Sequence, residues 1–219
     1  QKFAAKKLIY IEFKKNFIYF SPLVGTYTLI FLLYLVLIFE LNFYLTIKIV
    51  SILLVFFGLV PFLFYKNLYK FLKDLKFQSQ NVNLYWILLI YFLLFLISAS
   101  PITHADSLDY HFSGALNLLN NGSFNKELLP MNYNIVSIGE IIIAIGLILK
   151  AEQFGGILQF LSLLCLIPLF TNTKSNYFFL ILILICPITF FLTSSPKPQL
   201  LFSISTLIIF IFLYEKADY

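Results

Sequence analysis

The chain has 219 residues, of which 61% are hydrophobic and only 11% are charged. Soluble domains average nearer half apolar and a quarter charged residues, and a chain this short does not bury the excess in one core. The composition therefore predicts apolar surface that faces lipid. The net charge of +5 is carried by Lys alone, in short clusters beside apolar runs, and this pattern excludes a nucleic-acid partner.

Six apolar runs approach the length of about 20 residues that a helix needs to cross a bilayer. Alternating outer-membrane strands are not evident, and helices are the remaining form that satisfies its own backbone in lipid. The predicted fold class is an all-α polytopic membrane protein with about six transmembrane helices and amphipathic juxtamembrane helices in its first large outer loop. The predicted spans are Phe17–Phe39, Phe43–Tyr65, Leu84–Ile102, Phe154–Phe170, Tyr177–Thr193 and Gln199–Tyr214.

Lysines on both sides of the first two spans place both ends of that hairpin in the cytoplasm. The run Ile135–Leu149 is ambiguous, because its length suits either a crossing or an interfacial helix, and both choices give the same lysine count on each side. The predicted organisation is a basic segment and transmembrane hairpin over residues 1–83, and a second membrane module over 84–219. The module contains an outer loop at 103–134, and we expect it to continue beyond residue 219. The segment 135–149 is predicted to be an interfacial helix only because the family resemblance given below implies that it does not cross.

Residues 103–122 read as an amphipathic helix that Gly122 ends. One predicted face is apolar and the other is polar. The apolar positions are Leu108, Phe112, Ala115, Leu116 and Leu119, and the polar positions are Asp106, Asp109, Ser113, Asn117 and Asn120.

This segment concentrates the titratable groups of the chain. Asp106 and Asp109 stand within eight residues that also contain both histidines of the protein, His104 and His111. A carboxylate here is either a general base toward an acceptor hydroxyl or a ligand of a divalent ion. Two alternatives stay open: Thr103 and Asp106 form part of a helix cap, or His104, Asp106 and His111 bind a metal.

The order of these features resembles the first extracytoplasmic loop of GT-C superfamily glycosyltransferases. An apolar run ends in Pro101, Asp106-x-x-x-Tyr110 opens an amphipathic helix, and a Pro-Met-Asn-Tyr loop and a short apolar helix follow. The resemblance is to the members of this superfamily that use polyprenyl-phosphate sugars, including lipid A aminoarabinose transferases and protein O-mannosyltransferases. The resemblance implies that Asp106 or Asp109 is catalytic and that Tyr110 and His111 position the reacting groups.

A second stretch, Cys186 to Phe202, resembles the turn between two later spans of that superfamily. The family usually carries Asp where this chain has Gln199, and an amide neither binds metal strongly nor accepts a proton. The resemblance implies that Lys197 and Gln199 contact donor phosphate or sugar, although Lys197 is equally a helix-end anchor. Glu140 either lines the site, paired at depth, or faces water at the interface.

The expected function is an integral membrane glycosyltransferase, placed in the cytoplasmic membrane with its active site on the extracytoplasmic side. It takes a sugar from a polyprenyl-phosphate donor and transfers it to a hydroxyl of a glycan, lipid or protein acceptor. The bilayer is a partner, and the cofactor is unassigned, with a divalent cation as one candidate. A transporter or flippase component and a non-catalytic scaffold are the alternatives. Cys165 and Cys186 lie in apolar runs and are predicted to be unbridged small hydrophobes.

Overall fold

The computed structural model describes residues 23–39, 41–63, 83–103, 111–122, 138–167 and 174–217, with side chains described except at 57–63, 83–84, 138, 174–177 and 212–217. Every regular element in these ranges is a helix, so the all-α part of the predicted fold class is confirmed for them. The helices, in chain order, are α1 (23–38), α2 (Phe43–Leu63), α3 (Asn83–Ser98), α4 (Ser113–Asn121), α5 (Ile138–Ile148), α6 (Phe154–Leu164), α7 (Lys174–Ile185), α8 (Pro187–Thr193) and α9 (Gln199–Ala217).

The prediction of a polytopic membrane protein is wrong for this part of the chain. No helix in the described ranges combines the length and the apolar character that crossing a membrane requires. One physical reason is that several apolar runs form helices shorter than the runs themselves, although α9 extends beyond its run. The run Leu84–Ile102 gives α3, which has 16 residues, and at 1.5 Å per residue it is about 24 Å long, against about 30 Å of hydrocarbon.

Later runs are shortened further by breaks inside them. The run Phe154–Phe170 gives α6, which has only 11 residues. The run Tyr177–Thr193 is interrupted at Cys186, whose ψ of 128° is extended because Pro187 follows it and disfavours the helical conformation. The sequence shows correctly that these runs are apolar, but it does not show that their helices are interrupted.

Two clusters of buried apolar side chains make up the core. The first contains Tyr91 of α3, Leu163 of α6, Leu184 of α7 and Leu201 of α9. The second joins α1, α2, α4 and α5. Phe154, at the start of α6, packs against this second cluster, so α6 links the two halves of the core.

Helix α5 lies at the centre of the second cluster. Residues 139–146 are all buried, and Ile141, Ala144 and Ile145 are completely so. A helix that is apolar on every side belongs in a core. This placement takes Glu140, in the first turn of α5, away from solvent.

Two adjacent glycines bring the start of α6 against neighbouring backbone. A Cβ atom on Gly155 would lie 2.6 Å from the carbonyl oxygen of Pro196. A Cβ atom on Gly156 would lie 2.8 Å from the oxygen of Ser98 and 3.2 Å from that of Thr193. Glycine is therefore required at both positions, because it alone permits this approach to the end of α3 and to the α8–α9 turn.

Helix α4 ends where the sequence predicts. Gly122 has a φ of 67° and donates its N–H to the Leu118 oxygen at 3.0 Å, which is a left-handed C-cap. The predicted apolar face is right at Phe112, Ala115 and Leu119, which are buried, and wrong at Leu116, which is 47% exposed. Leu118 takes that place in the core, because the packed face of α4 is centred nearer Ala115 than Leu116.

Candidate functional site

A histidine–carboxylate pair joins the turn before α4 to α5. Nδ1 of His111 lies 2.6 Å from Oε1 of Glu140, although the two residues are 29 positions apart in the chain. Glu140 is 6% exposed, whereas the side chain of His111 is 24% exposed. The pair thus has a buried carboxylate and an imidazole that reaches the surface.

The local structure explains why these two residues meet. His111 and Phe112 form a π-helical turn that leads into α4, and turns of this kind are often found at functional sites. Phe112 is buried in the second apolar cluster, which α1, α2, α4 and α5 form, and this contact fixes the turn against α5. Glu140 lies in the first turn of α5, where the helix dipole favours a negative charge.

The hydrogen bond sets the tautomer of His111. When Glu140 is ionised and the ring is neutral, the ring proton is on Nδ1 and is donated to Glu140, because an ionised carboxylate only accepts hydrogen bonds. The other ring nitrogen, Nε2, is then an acceptor. This arrangement orients the imidazole as a base and compensates the positive charge that the ring acquires when it takes a proton.

Tyr34 of α1 stands in the same electrostatic environment. Burial, and in smaller part the negative charge of Glu140, raise the pKa of the Tyr34 phenol above its ordinary value. The phenol therefore stays protonated at neutral pH and carries a hydrogen-bond donor. No sequence signal points to Tyr34, since it is one of many aromatic residues in a continuous apolar run.

The predicted catalytic residues Asp106 and Asp109, and the predicted binding residue Tyr110, lie outside the described residues. Two buried residues lie close to this segment in the sequence: Ile102, which is 8% exposed, comes before it, and Phe112, which is 9% exposed, comes after it. Both belong to the same apolar cluster as α5.

Lys197 and Gln199 lie elsewhere, on the turn between α8 and α9 and at the start of α9. Lys197 is half-buried and Gln199 is exposed. This turn packs on Gly155 at the start of α6, whereas Glu140 is in the first turn of α5. About 12 Å of α5 separates Glu140 from the α5–α6 connection, at 1.5 Å per residue. The structure therefore unites His111 with Glu140 and places Lys197 and Gln199 on a separate surface.

Gln159 of α6 holds the α8–α9 turn in place. Its side chain is 1% exposed. The amide nitrogen donates to the carbonyl oxygens of Leu192 at 2.7 Å, of Ser195 at 3.0 Å and of Lys197. The amide oxygen accepts from the backbone N–H of Leu200 at 2.7 Å and of Leu201 at 3.3 Å. One buried amide thus supplies hydrogen-bond partners to backbone groups of the α8–α9 turn and of the first turn of α9. The only signal of this role in the sequence is a glutamine inside an otherwise apolar run.

Within the described ranges, no group of three or more His, Cys, Asp or Glu side chains is arranged to hold a metal ion. The proposed ligands His104 and Asp106 fall outside these ranges, so the divalent-cation prediction stays a prediction.

Neither a curated protein nor a solved structure matches this chain. A family model, the DUF1420 N-terminal domain, matches residues 60–217, which include the His111–Glu140 pair, Gln159 and Lys197. The match covers well over half of the sequence, and the chain therefore belongs to the DUF1420 family through its N-terminal domain.

Proposed function

We propose that this protein is a glycosyltransferase that moves a sugar from a polyprenyl-phosphate carrier to an acceptor hydroxyl. The observation that carries the proposal is the 2.6 Å hydrogen bond between His111 and the buried Glu140. His111 directly follows Tyr110, the last residue of the Asp106-x-x-x-Tyr110 motif. Base catalysis at a hydroxyl needs an oriented proton acceptor, and this pair supplies one. The extracytoplasmic location of the transfer belongs to the same proposal.

The reaction is a displacement at the anomeric carbon. The acceptor oxygen forms a bond to that carbon, the bond from carbon to the phosphate oxygen breaks, and its electron pair leaves with the phosphate. The proton of the hydroxyl goes to Nε2 of His111 while Glu140 holds Nδ1. Inversion at the anomeric carbon is what the GT-C resemblance implies.

Asp106 and Asp109 are the bases that the resemblance assigns, and they compete with His111 for this role. The described contacts favour His111, because its orienting carboxylate is already within hydrogen-bond distance. Variants of each residue separate the two assignments.

Lys197 and Gln199 lie on a separate surface from His111, so donor binding there and base catalysis by His111 are alternative placements of the site. The resemblance implies the donor-binding role for these two residues, because a lysine cation attracts phosphate and the amide of Gln199 makes hydrogen bonds to phosphate or sugar. The Gln159 bonds support this role by holding the backbone of the turn in one conformation. A fixed loop loses less entropy when it binds a ligand.

Exposed apolar side chains support a donor with a lipid tail. Phe31 of α1, Phe56 of α2 and Trp86 of α3 are 61%, 64% and 58% exposed. Large apolar surfaces of this kind mark contacts with apolar partners. We propose that they contact the polyprenyl chain of the donor and the lipid around it.

The test is transfer by the purified protein from a panel of radiolabelled polyprenyl-phosphate sugars. If His111 is the base, His111→Ala lowers the rate about 10²- to 10⁴-fold, which is the usual contribution of general base catalysis. Glu152→Gln is the matched control, because Glu152 is exposed on the α5–α6 connection. Full activity in His111→Ala, with loss in Asp106→Asn or Asp109→Asn, would return the role of base to the aspartates.

A complete lack of transfer by the wild-type protein would contradict the enzymatic proposal. The alternatives, a transporter or flippase component and a scaffold, then become the leading interpretations.

A further inference from the structure

A groove of about 810 Å³ opens between the α1–α2 turn and the C-terminal end of α4. Three asparagines line it together with apolar and aromatic side chains, and its volume is in the usual range of ligand sites, about 300–1,000 Å³. Its lining includes Leu41, Asn42, Tyr44, Asn120, Asn121 and Gly122.

We propose that this groove binds a saccharide. The proposal deepens the proposed function, on which its role as part of the acceptor site rests. Amides, which donate and accept hydrogen bonds, match sugar hydroxyls, which do the same. The described lining consists of amide, apolar and aromatic side chains, which suit a neutral polar ligand.

Two of the amides are held in defined orientations. Oδ1 of Asn42 accepts from the backbone N–H of Leu45 at 2.9 Å, which leaves the amide nitrogen of Asn42 as the group for a ligand. Nδ2 of Asn121 donates to Oδ1 of Asn117. The groove therefore presents amide groups on both its α1–α2 side and its α4 side.

The aromatic component is Tyr44, which is 49% exposed at the start of α2. The face of an aromatic ring carries partial negative charge and attracts the positively polarised C–H groups of a sugar ring. Leu41, which is 54% exposed, extends this apolar wall. Asparagine amides and an aromatic side chain that line the same groove suit a pyranose.

The groove and the histidine lie at opposite ends of α4. Ten residues separate His111 from Asn121, which is about 15 Å at 1.5 Å per residue. An acceptor that reaches both places is therefore an oligosaccharide rather than a single sugar.

The test measures binding without transfer. Linear oligosaccharides of glucose, mannose and N-acetylglucosamine, from monomers to tetramers, are added to the full chain, and saturation-transfer NMR reports contact. We expect binding that strengthens with length and that Tyr44→Ala and Asn121→Ala each weaken about tenfold, as for the loss of one good contact. Tyr44→Phe keeps the ring and retains binding. Tyr85→Ala, at an aromatic residue 78% exposed on α3, is the matched control and leaves binding unchanged.

The absence of saccharide binding, or equal losses in Tyr44→Ala and Tyr85→Ala, would overturn the groove proposal. The His111→Ala protein separates this result from the fate of the proposed function. Saccharide binding by wild type and His111→Ala, together with no transfer by wild type, supports the groove and rejects the transferase. Transfer by wild type, together with unchanged saccharide binding in all groove variants, supports the transferase and rejects the groove.

Discussion

Gly114 of α4 faces Glu140 of α5 so closely that a Cβ atom on Gly114 would lie 3.2 Å from Cγ of Glu140. This distance is shorter than ordinary van der Waals contact, so an added methyl group displaces the Glu140 side chain. The glycine therefore lets α4 approach α5 and fixes where the carboxylate meets His111. The contact links helix packing to the geometry of the proposed base.

Gly114→Ala tests this contact. In an open helical position, Gly to Ala stabilises by about 0.5–1 kcal/mol. We expect Gly25→Ala to show that gain, because a Cβ atom on Gly25 meets nothing within 4 Å. Gly114→Ala gains less or loses stability in denaturant unfolding, and it lowers transfer activity. Equal gains in both variants, with unchanged transfer, would show that Gly114 does not position Glu140.

Gln159→Leu tests the clamp on the α8–α9 turn. Leucine has a similar size but leaves the backbone N–H of Leu200 and the carbonyl oxygen of Ser195 without their amide partner. Buried groups left unsatisfied cost about 1–3 kcal/mol each, so we expect a loss of about 2–4 kcal/mol in urea unfolding.

The matched control is Gln199→Leu, an exposed glutamine close to the same turn. Surface substitutions usually change stability by less than about 0.5 kcal/mol. A similar effect of both variants would contradict a structural role of the buried amide.

Glu140→Gln tests the electrostatic environment of Tyr34. The substitution removes the negative charge but keeps the size of the side chain and an oxygen that accepts from His111. Because that charge contributes to the raised pKa of Tyr34, we expect the pKa to fall in Glu140→Gln. It stays above the ordinary value of 10.0, since burial is the larger cause.

The measurement is a pH titration followed by NMR of ¹³C-labelled tyrosine. Glu152→Gln, which removes an exposed charge, is the control and leaves the Tyr34 titration in place. An unchanged Tyr34 pKa in Glu140→Gln would mean that the two groups do not interact.

The burial of Cys165 leads us to expect that the free energy of unfolding falls at high pH. Burial raises the pKa of its thiol from 9.0 to about 12, against a smaller opposing effect of a backbone hydrogen bond. Above pH 9 the unfolded chain releases the thiol proton, whereas the folded chain keeps it. The contribution of the protonated thiol to the free energy of unfolding is therefore complete below pH 9 and is lost as the pH rises to about 12. Cys165→Ala removes it, and unfolding measured across this window should show a shallower decline in the variant than in the wild type.

Thiol alkylation gives an independent check of the same burial. Neither cysteine forms a disulfide, but Cys165 is buried and Cys186 is half-buried. Alkylation requires access and the thiolate, so near neutral pH the reagent modifies Cys186 first. Faster modification of Cys165 in the folded protein would contradict its burial.

The sequence predicts some features of the fold because they depend on local chemistry. Gly122 ends α4, since glycine adopts positive φ without strain. The prediction that the cysteines are unbridged is also confirmed, in agreement with their apolar surroundings. The lengths of the later helices were not predictable in this way, because the residue before Pro187 and the turn after Leu164 interrupt runs that composition treats as continuous.

Part of the candidate site was predictable and part was not. The concentration of titratable groups near His111 is visible in the sequence, and Glu140 stands out in an apolar run. Their hydrogen bond joins residues 29 positions apart and depends on the packing of α4 on α5, which periodicity does not predict. Tyr34 and Gln159 act through tertiary contacts, so their roles appear only in the folded chain.

The most direct test of the central claim is the lipid-linked saccharide and surface-glycan profile of cells that lack this gene. The cells are complemented with the wild-type protein, with His111→Ala or with Glu152→Gln, each at matched expression. We predict that one sugar is absent from the glycans of the deletion strain and returns with the wild type and Glu152→Gln, but not with His111→Ala. An identical glycan profile in all four strains would contradict the assignment of a glycosyltransferase.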